Sequence, residues 1–168
     1  SDVCSSDLPY PGGPFIDKLA EEGDSSGVIF PRVFLDDKSY DFSFSGLKTA
    51  VLNHLNQLKQ WGEEPVIADI AASFQDAVLD VLVEKTFRLA KEMNRNKIAI
   101  AGGVAANKGL RGSFKARGEK ERIEIFYPST VLCTDNAAMI GSAGYFNFIS
   151  GIRSTLDLKA NPNLGFLE

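Results

Sequence analysis

A long apolar stripe constrains the fold of this 168-residue chain more than any other feature. Between residues 66 and 93, apolar side chains recur at the 3.6-residue spacing of an α-helix. The stripe consists of Ile67, Ile70, Ala71, Phe74, Ala77, Val78, Val81, Leu82, Leu89 and Met93. Because a helix with one apolar stripe must bury that stripe, the rest of the chain has to supply a layer on which it packs.

The segments around this helix alternate between helical and strand-like patterns. Residues 97–101 and 122–127 are short apolar runs of the kind found in buried strands, and 28–30 and 33–34 could form short edge strands. Further helices are predicted over 15–22, 45–59, 104–115 and 136–148. The alternation indicates an α/β layer fold with at least two parallel strands.

Composition narrows the classes of protein that this chain can belong to. With 44% hydrophobic and 24% charged residues it is typical of globular proteins. No apolar run approaches the ~20 residues of a membrane span and no signal peptide opens the sequence, so we expect a cytoplasmic protein without membrane contact. The single histidine, His54, excludes a two-histidine zinc protease, and we expect it at the surface or the edge of the core. The net charge of −4 argues against a stand-alone nucleic-acid binder.

A glycine pair follows the first predicted strand, in IAIAGGVAANKGLR at 98–111. Gly102 and Gly103 would let the backbone approach a ligand, and the following helix offers free N–H groups to a phosphate. Asn107, predicted in the first turn of that helix, could bind a ribose or a phosphate. A tight turn without a ligand explains the same pattern equally well.

Two acidic residues also stand at predicted helix starts. In CTDNAAMIG at 133–141, Asp135 or Asn136 occupies the N-cap position, where capping is worth ~1 kcal/mol. Asp135 could instead be a metal ligand, although the pattern alone favours the cap. Asp17, in the first turn of the helix after YPGGP, either complements the helix dipole or accepts hydrogen bonds from ribose hydroxyls.

Two other features have both a structural and a functional interpretation. The basic residues of 108–122 are interrupted by Glu119 and Glu121 and form either a solvated helix face or a contact for a phosphate backbone. Lys48 could neutralise RNA or substrate charge. The two cysteines, Cys4 and Cys133, are too few for a disulfide framework, and Cys133 is interpreted as a small buried side chain.

Five motifs in a fixed order carry a family resemblance. They are YPGGPxID, DFSFSGLKTAV, DIAASFQ, AGGVAANxxLR and CTDNAAMIG, which begin at Tyr10, Asp41, Asp69, Ala101 and Cys133. Their combination resembles the TsaD family of tRNA adenosine threonylcarbamoyltransferases, relatives of the KEOPS catalytic subunit. The resemblance covers residues 9–168, whereas residues 1–8 match nothing in the family and are interpreted as a tail that is not native.

The resemblance implies a fold and an activity. The fold is the actin-like ATPase fold (ASKHA, ribonuclease-H-like), of which this chain would be the second half, with helices packed on a short mixed sheet. The activity is transfer of a threonylcarbamoyl group from threonylcarbamoyl-AMP to the adenosine next to the tRNA anticodon.

The resemblance also implies roles for particular residues and partners. Gly13, Asp17 and Asn107 would line the nucleotide site, and Gly102 and Gly103 would shape its turn. Asp135 would be a ligand of one divalent metal ion, iron. The partners would be tRNA, a TsaB-like scaffold paralogue and a TsaE-like P-loop ATPase subunit.

Two alternative functions are compatible with the same sequence. The paired-histidine metal motif of the family lies in an N-terminal half that this sequence lacks, so we expect the chain alone to be inactive. A non-catalytic scaffold-type interaction module is one alternative, although scaffold paralogues generally lose the GGVAAN and CTDN residues that are intact here. The other is a carbamoyltransferase of the same fold that acts on a small molecule.

Overall fold

The computed structural model describes residues 12–33 and 39–159. These residues form two compact units, one ending at Cys133 and the other beginning at Thr134. The first unit contains, in chain order, α1 (Gly13–Glu22), α2 (Ser45–Trp61), α3 (Ile67–Glu92), β1 (Lys97–Ala99), α4 (Lys108–Glu121) and β2 (Glu124–Phe126), and the second contains α5 (Ala137–Ile149). The predicted α/β class is confirmed. The tail at 1–8 and the predicted strand residue Phe34 lie outside the described residues.

The long helix α3 is the common packing surface of the first unit, as the stripe predicted. Its N-terminal half packs with α2 and the preceding loop around Phe30, Leu47, Val51, Ile70 and Ala77. Its C-terminal half packs with α4 and both strands around Phe87, Ala90, Ile98, Leu110, Phe114 and Ile123. The half-buried ring of His54 packs edge-on against Phe30 at 5.8 Å, which confirms its place at the edge of the core.

The prediction that α3 buries one continuous apolar stripe is wrong for the last turns of the helix. Met93, a stripe residue, is 55% exposed, whereas Phe87 lies off the stripe and is fully buried. The helix meets different neighbours along its length, α2 at one end and α4 at the other. It therefore buries different faces in its two halves, which one continuous stripe does not describe.

The two strands are parallel and are joined by α4. Ile98 of β1 stands opposite Ile125 of β2. The sheet of the described residues is thus parallel, and the mixed sheet expected from the family is not seen there. β1 ends at Ala99 rather than at residue 101, because the chain turns at Gly102, which has a φ of +85°.

The residues expected as edge strands at 28–30 and 33 form no strand. Arg32 anchors this segment instead, donating to the carbonyl of Phe30 at 3.0 Å and pairing with Asp76 at 2.5 Å and Asp80 at 2.8 Å on α3. Side-chain contacts to α3 therefore replace strand pairing.

The start of α4 corrects one prediction, and the start of α5 decides between the two caps that the sequence left open. A 3-10 turn covers Gly103–Ala106, so α4 begins at Lys108 with Asn107 as its N-cap, rather than at residue 104. Asn136 caps α5 through its Oδ1, which accepts from the Met139 N–H at 3.0 Å. Asp135 is therefore not the cap. No helix among the described residues is long and apolar enough to span a bilayer.

Candidate functional site

Three helices bring polar side chains together at the N-terminus of α4. Asn107 Nδ2 donates to Asp17 Oδ1 of α1 and to Gln75 Oε1 of α3, each at 2.8 Å. Asp17 Oδ2 accepts from the Lys108 backbone N–H at 3.2 Å. We call Asp17, Gln75 and Asn107 the Asn107 cluster. It joins the sequence-predicted site residues Asp17 and Asn107 directly.

The hydrogen-bonding capacity of the cluster is unequally used. Both N–H groups of the Asn107 amide are occupied, and its Oδ1 accepts from the Leu110 N–H at 2.7 Å as the N-cap. From the described residues, the carboxylate of Asp17 accepts two bonds, out of about four lone-pair positions. With respect to these residues, a ligand hydroxyl can donate to Asp17 while the cluster stays intact, whereas Asn107 can donate only by giving up a bond.

Asp17 lies further along its helix than the sequence predicted. Since α1 begins at Gly13, Asp17 is its fifth residue, and the first turn carries no acid. The helix dipole therefore explains Asp17 less well than its contacts with α4 do.

Gln75 is the member of the cluster that the sequence analysis missed. It belongs to DIAASFQ and is half-buried. A Cβ on Gly109 would lie 2.8 Å from Gln75 Nε2, so the Gln75 amide packs closely against α4 at a position without a side chain. A usable signal existed, since Gln75 follows Ala71 by one helical turn and an amide on an apolar face needs partners.

The three predicted glycines stand at the start of α1 and in the turn that leads into α4. Gly13 is the first residue of α1. Gly102 adopts the left-handed φ that favours glycine, and Gly103 opens the 3-10 turn before Asn107. All three are exposed in the part of the chain that the structure describes.

Arg111 ties the glycine turn to the loop after β2. Its Nε donates to the Ala105 carbonyl at 2.6 Å, and its Nη2 lies 2.8 Å from the Pro128 carbonyl and 3.2 Å from Cys133 Sγ. The guanidinium also stacks on the Tyr127 ring at 4.6 Å. Cys133 is 4% exposed, which confirms its interpretation as a buried side chain. Arg111 thus fixes the position of the residues that lead into the CTDN motif.

Several cations of the basic stretch 108–122 are neutralised within the first unit. Lys108 pairs with Glu21 at 2.8 Å, and this contact raises the pKa of Lys108. Arg117 pairs with Glu84 at 3.3 Å and also contacts Glu121. Within the described ranges, the exposed cations of the stretch without a salt bridge are Lys115, Lys120 and Arg122.

The residues near Asp135 do not by themselves make a metal centre. Asp135 is exposed and belongs to the second unit. Across residues 12–33 and 39–159, no group of three or more His, Cys, Asp or Glu side chains could hold a metal ion. Because protein iron sites draw on several ligands, one carboxylate does not fit iron without help from elsewhere.

Comparison with known proteins identifies the family. The family model described as TsaD, tRNA N6-adenosine threonylcarbamoyltransferase, matches residues 4–142, most of the chain. The chain belongs to the TsaD family. The resemblance inferred from the five motifs is therefore confirmed.

Curated relatives of this TsaD-family chain carry the same name, tRNA N6-adenosine threonylcarbamoyltransferase. The chain is 54% identical over 158 residues to the protein of Clostridium kluyveri and 51% identical over 157 residues to that of Clostridioides difficile. Identity to the Clostridium beijerinckii protein is 54% over 158 residues. Each match covers 94% of this chain but 46%, 46% and 47% of the relative. The chain spans about half the length of these relatives.

Proposed function

We propose that this TsaD-family chain carries the nucleotide-binding part of a tRNA threonylcarbamoyltransferase. The donor would be threonylcarbamoyl-AMP, and the acceptor would be the exocyclic amine of the adenosine next to the anticodon. One structural observation supports this proposal in addition to family membership. Asp17 and Asn107, which the family resemblance assigns to the nucleotide, lie ninety positions apart and share a hydrogen bond.

The proposed reaction needs orientation and charge stabilisation rather than a protein nucleophile. The amine nitrogen of adenosine attacks the carbamoyl carbon, and a C–N bond forms. The bond from that carbon to the phosphate oxygen breaks, AMP leaves with the electron pair, and the amine loses a proton. Holding donor and acceptor in place lowers the barrier by removing the entropy cost of their encounter.

The residues of this chain suit the AMP portion of the donor. The contacts of Asp17 with described residues leave lone pairs that could accept hydrogen bonds from ribose hydroxyls. The exposed glycine turn at Gly102 and Gly103 would let a phosphate approach peptide N–H groups. Cys133 is buried and supplies no nucleophile for this reaction.

We also propose the fold and the metal site of the family for this chain. The β1–α4–β2 unit, with α3 packed against it, is compatible with the second half of an actin-like ATPase fold. Asp135 would be one ligand of a divalent metal ion, iron, whose other ligands come from outside this chain. Such an ion would supply positive charge near the leaving phosphate.

The proposed partners follow from the substrate and the family. The tRNA would contact Lys115, Lys120 and Arg122, the exposed cations of the basic stretch that form no salt bridge with a described residue. A TsaB-like scaffold paralogue and a TsaE-like P-loop ATPase subunit would complete the system in the cytoplasm.

A transfer assay tests this proposal. The chain is joined to the N-terminal half of the Clostridium kluyveri relative, and labelled threonylcarbamoyl transfer to unmodified tRNA is measured with the partner subunits present. We expect transfer by the joined protein, loss of transfer with Asp135→Ala, and retention with Asp157→Ala, which removes another exposed carboxylate of the second unit. Transfer that survives Asp135→Ala would remove Asp135 from the metal site.

Two other outcomes would favour the alternative functions. Transfer to a small amine but not to tRNA would indicate a small-molecule carbamoyltransferase. Absence of transfer to either acceptor, with the partner subunits still bound, would indicate a scaffold-type interaction module.

A further inference from the structure

The side-chain amide of Asn107 has no N–H group left to offer a nucleotide. An asparagine amide carries two N–H donors, and those of Asn107 go to Asp17 and to Gln75, each at 2.8 Å. Its Oδ1 is engaged as the N-cap of α4. Phosphate oxygens only accept hydrogen bonds. Asn107 can therefore donate to a phosphate, or to an oxygen of the ribose, only after one of its present donor contacts is broken.

The contact with Gln75 is the one that costs least to break. The acceptor in the other donor contact is the carboxylate of Asp17, and charge-assisted hydrogen bonds are roughly twice as strong as neutral ones. The cap bond satisfies the Leu110 N–H at 2.7 Å, in the first turn of α4, where the N–H groups lack a carbonyl partner within the helix. The contact with Gln75 joins two neutral side-chain amides and satisfies no backbone group.

Gln75 is held loosely enough to leave Asn107. Because Asn107 Nδ2 can only donate, Oε1 of Gln75 faces Asn107, and Nε2 faces α4 at Gly109. The Gln75 side chain is half-buried, and the bond to Asn107 is the one hydrogen bond that it makes with a described residue. With respect to those residues, the Gln75 amide can turn away without breaking a second hydrogen bond.

We propose that Gln75 competes with the nucleotide for the Asn107 amide and thereby sets the affinity of the site. The inference rests on the proposed function, since it takes Asn107 as a nucleotide contact. In the empty site, Gln75 accepts one N–H of Asn107, and a nucleotide oxygen takes its place on binding. The contact with Asp17 and the cap of α4 are kept. The nucleotide thus replaces a hydrogen bond that already exists, which lowers its affinity by about fivefold.

A purely structural role for Gln75 predicts the opposite change in affinity. If Gln75 only supports the position of Asn107, removing its amide loosens the site, so stability and nucleotide affinity both fall. If Gln75 competes, its removal still lowers stability, because an N–H of Asn107 loses its partner, but nucleotide affinity rises. The two roles therefore differ in the sign of the change in affinity.

AMP binding by the joined protein tests the competition. Calorimetry gives the dissociation constant for AMP, and urea titration gives the stability, for the wild type and Gln75→Met. Methionine is similar in length to glutamine and has no amide. We expect Gln75→Met to bind AMP about fivefold more tightly and to unfold at a lower urea concentration. Gln57→Met, the same change at an exposed position of α2, should alter neither quantity.

Unchanged or weaker AMP binding by folded Gln75→Met would overturn the competition and leave Gln75 with a structural role. Circular dichroism shows whether the variant keeps its helices, and Gln75→Leu replaces Gln75→Met if the latter unfolds. Failure of the proposed function has a different signature. A folded wild-type joined protein that binds no AMP would overturn the proposed nucleotide site, and the competition at Gln75 with it.

Discussion

Asp17 and Asn107 are ninety positions apart in the chain, and their side chains share a hydrogen bond of 2.8 Å. Asn107 is the N-cap of α4 and accepts from the Leu110 N–H. Asp17 reaches the same helix start from α1 and accepts from the Lys108 N–H. Negative charge at a helix N-terminus is stabilising, so this contact links the packing of α1 to the stability of α4.

Gly109 and Gly112 of α4 should respond differently to alanine. At Gly109 the new Cβ would lie 2.8 Å from Gln75 Nε2, the movable end of that side chain, whereas at Gly112 it meets nothing within 4 Å. Because the Gln75 amide must shift away from the new methyl group, we expect the free energy of unfolding to gain less from Gly109→Ala than from Gly112→Ala. Gly112→Ala should raise it by about 0.5–1 kcal/mol through helix propensity. Urea titrations measure both, and equal stabilisation by the two variants would contradict the contact with Gln75.

Arg111 should control access to the buried thiol of Cys133. Arg111→Gln removes the guanidinium that binds both the Pro128 carbonyl and Cys133 Sγ. In a Cys4→Ser background, where Cys133 is the remaining thiol, we expect at least a tenfold faster reaction with a thiol reagent. Lys115→Gln, an exposed change on the same helix, should leave the rate unchanged. An unaltered rate with Arg111→Gln would show that Arg111 does not shield the Cys133 thiol from the reagent.

Glu121 should make the protein less stable in acid. Burial acts to raise the pKa of Glu121, but hydrogen bonds from Lys91 and Arg117 outweigh it and lower the pKa below 4.5. The unfolded chain therefore binds more protons than the folded protein near pH 4, so this stabilisation is present above about pH 4.5. It is lost as the pH falls through the lowered pKa.

Unfolding free energies measured between pH 3 and pH 6 test this dependence. We expect Glu121→Gln to flatten the decline below pH 4.5, because the titrating group is gone. Glu119→Gln, which alters an exposed acid of the same helix, serves as the control. An equal slope in the wild type and Glu121→Gln would assign the acid sensitivity to other carboxylates.

Local sequence patterns predicted most elements of the fold but not the contacts between them. Helical periodicity placed α3 within one residue at each end, and Gly62 ends α2 in the left-handed conformation that favours glycine. The start of α4 was misplaced because the small residues at 103–106 suit a helix and a 3-10 turn equally. The family motifs singled out Asp17 and Asn107 as candidate residues, and their side chains share a hydrogen bond.

The role of Gln75 depends on packing between distant segments. The sequence could not reveal that its Oε1 accepts from Asn107, because the contact requires α3 and α4 to approach closely at Gly109. The cap of α5 was ambiguous for a simpler reason. Asp135 and Asn136 are adjacent and both are good caps, so only the backbone geometry assigns the role to Asn136.

Nucleotide binding by the joined protein tests the central claim most directly. The dissociation constant for AMP, the leaving group of the proposed reaction, is measured calorimetrically for the wild type, Asp17→Ala and Glu22→Ala. Glu22 is an exposed acid on the same helix, so Glu22→Ala controls for the loss of negative charge. We predict at least tenfold weaker binding for Asp17→Ala and no change for Glu22→Ala. Equal affinity of Asp17→Ala and the wild type, with both proteins folded, would contradict a nucleotide site at the Asn107 cluster.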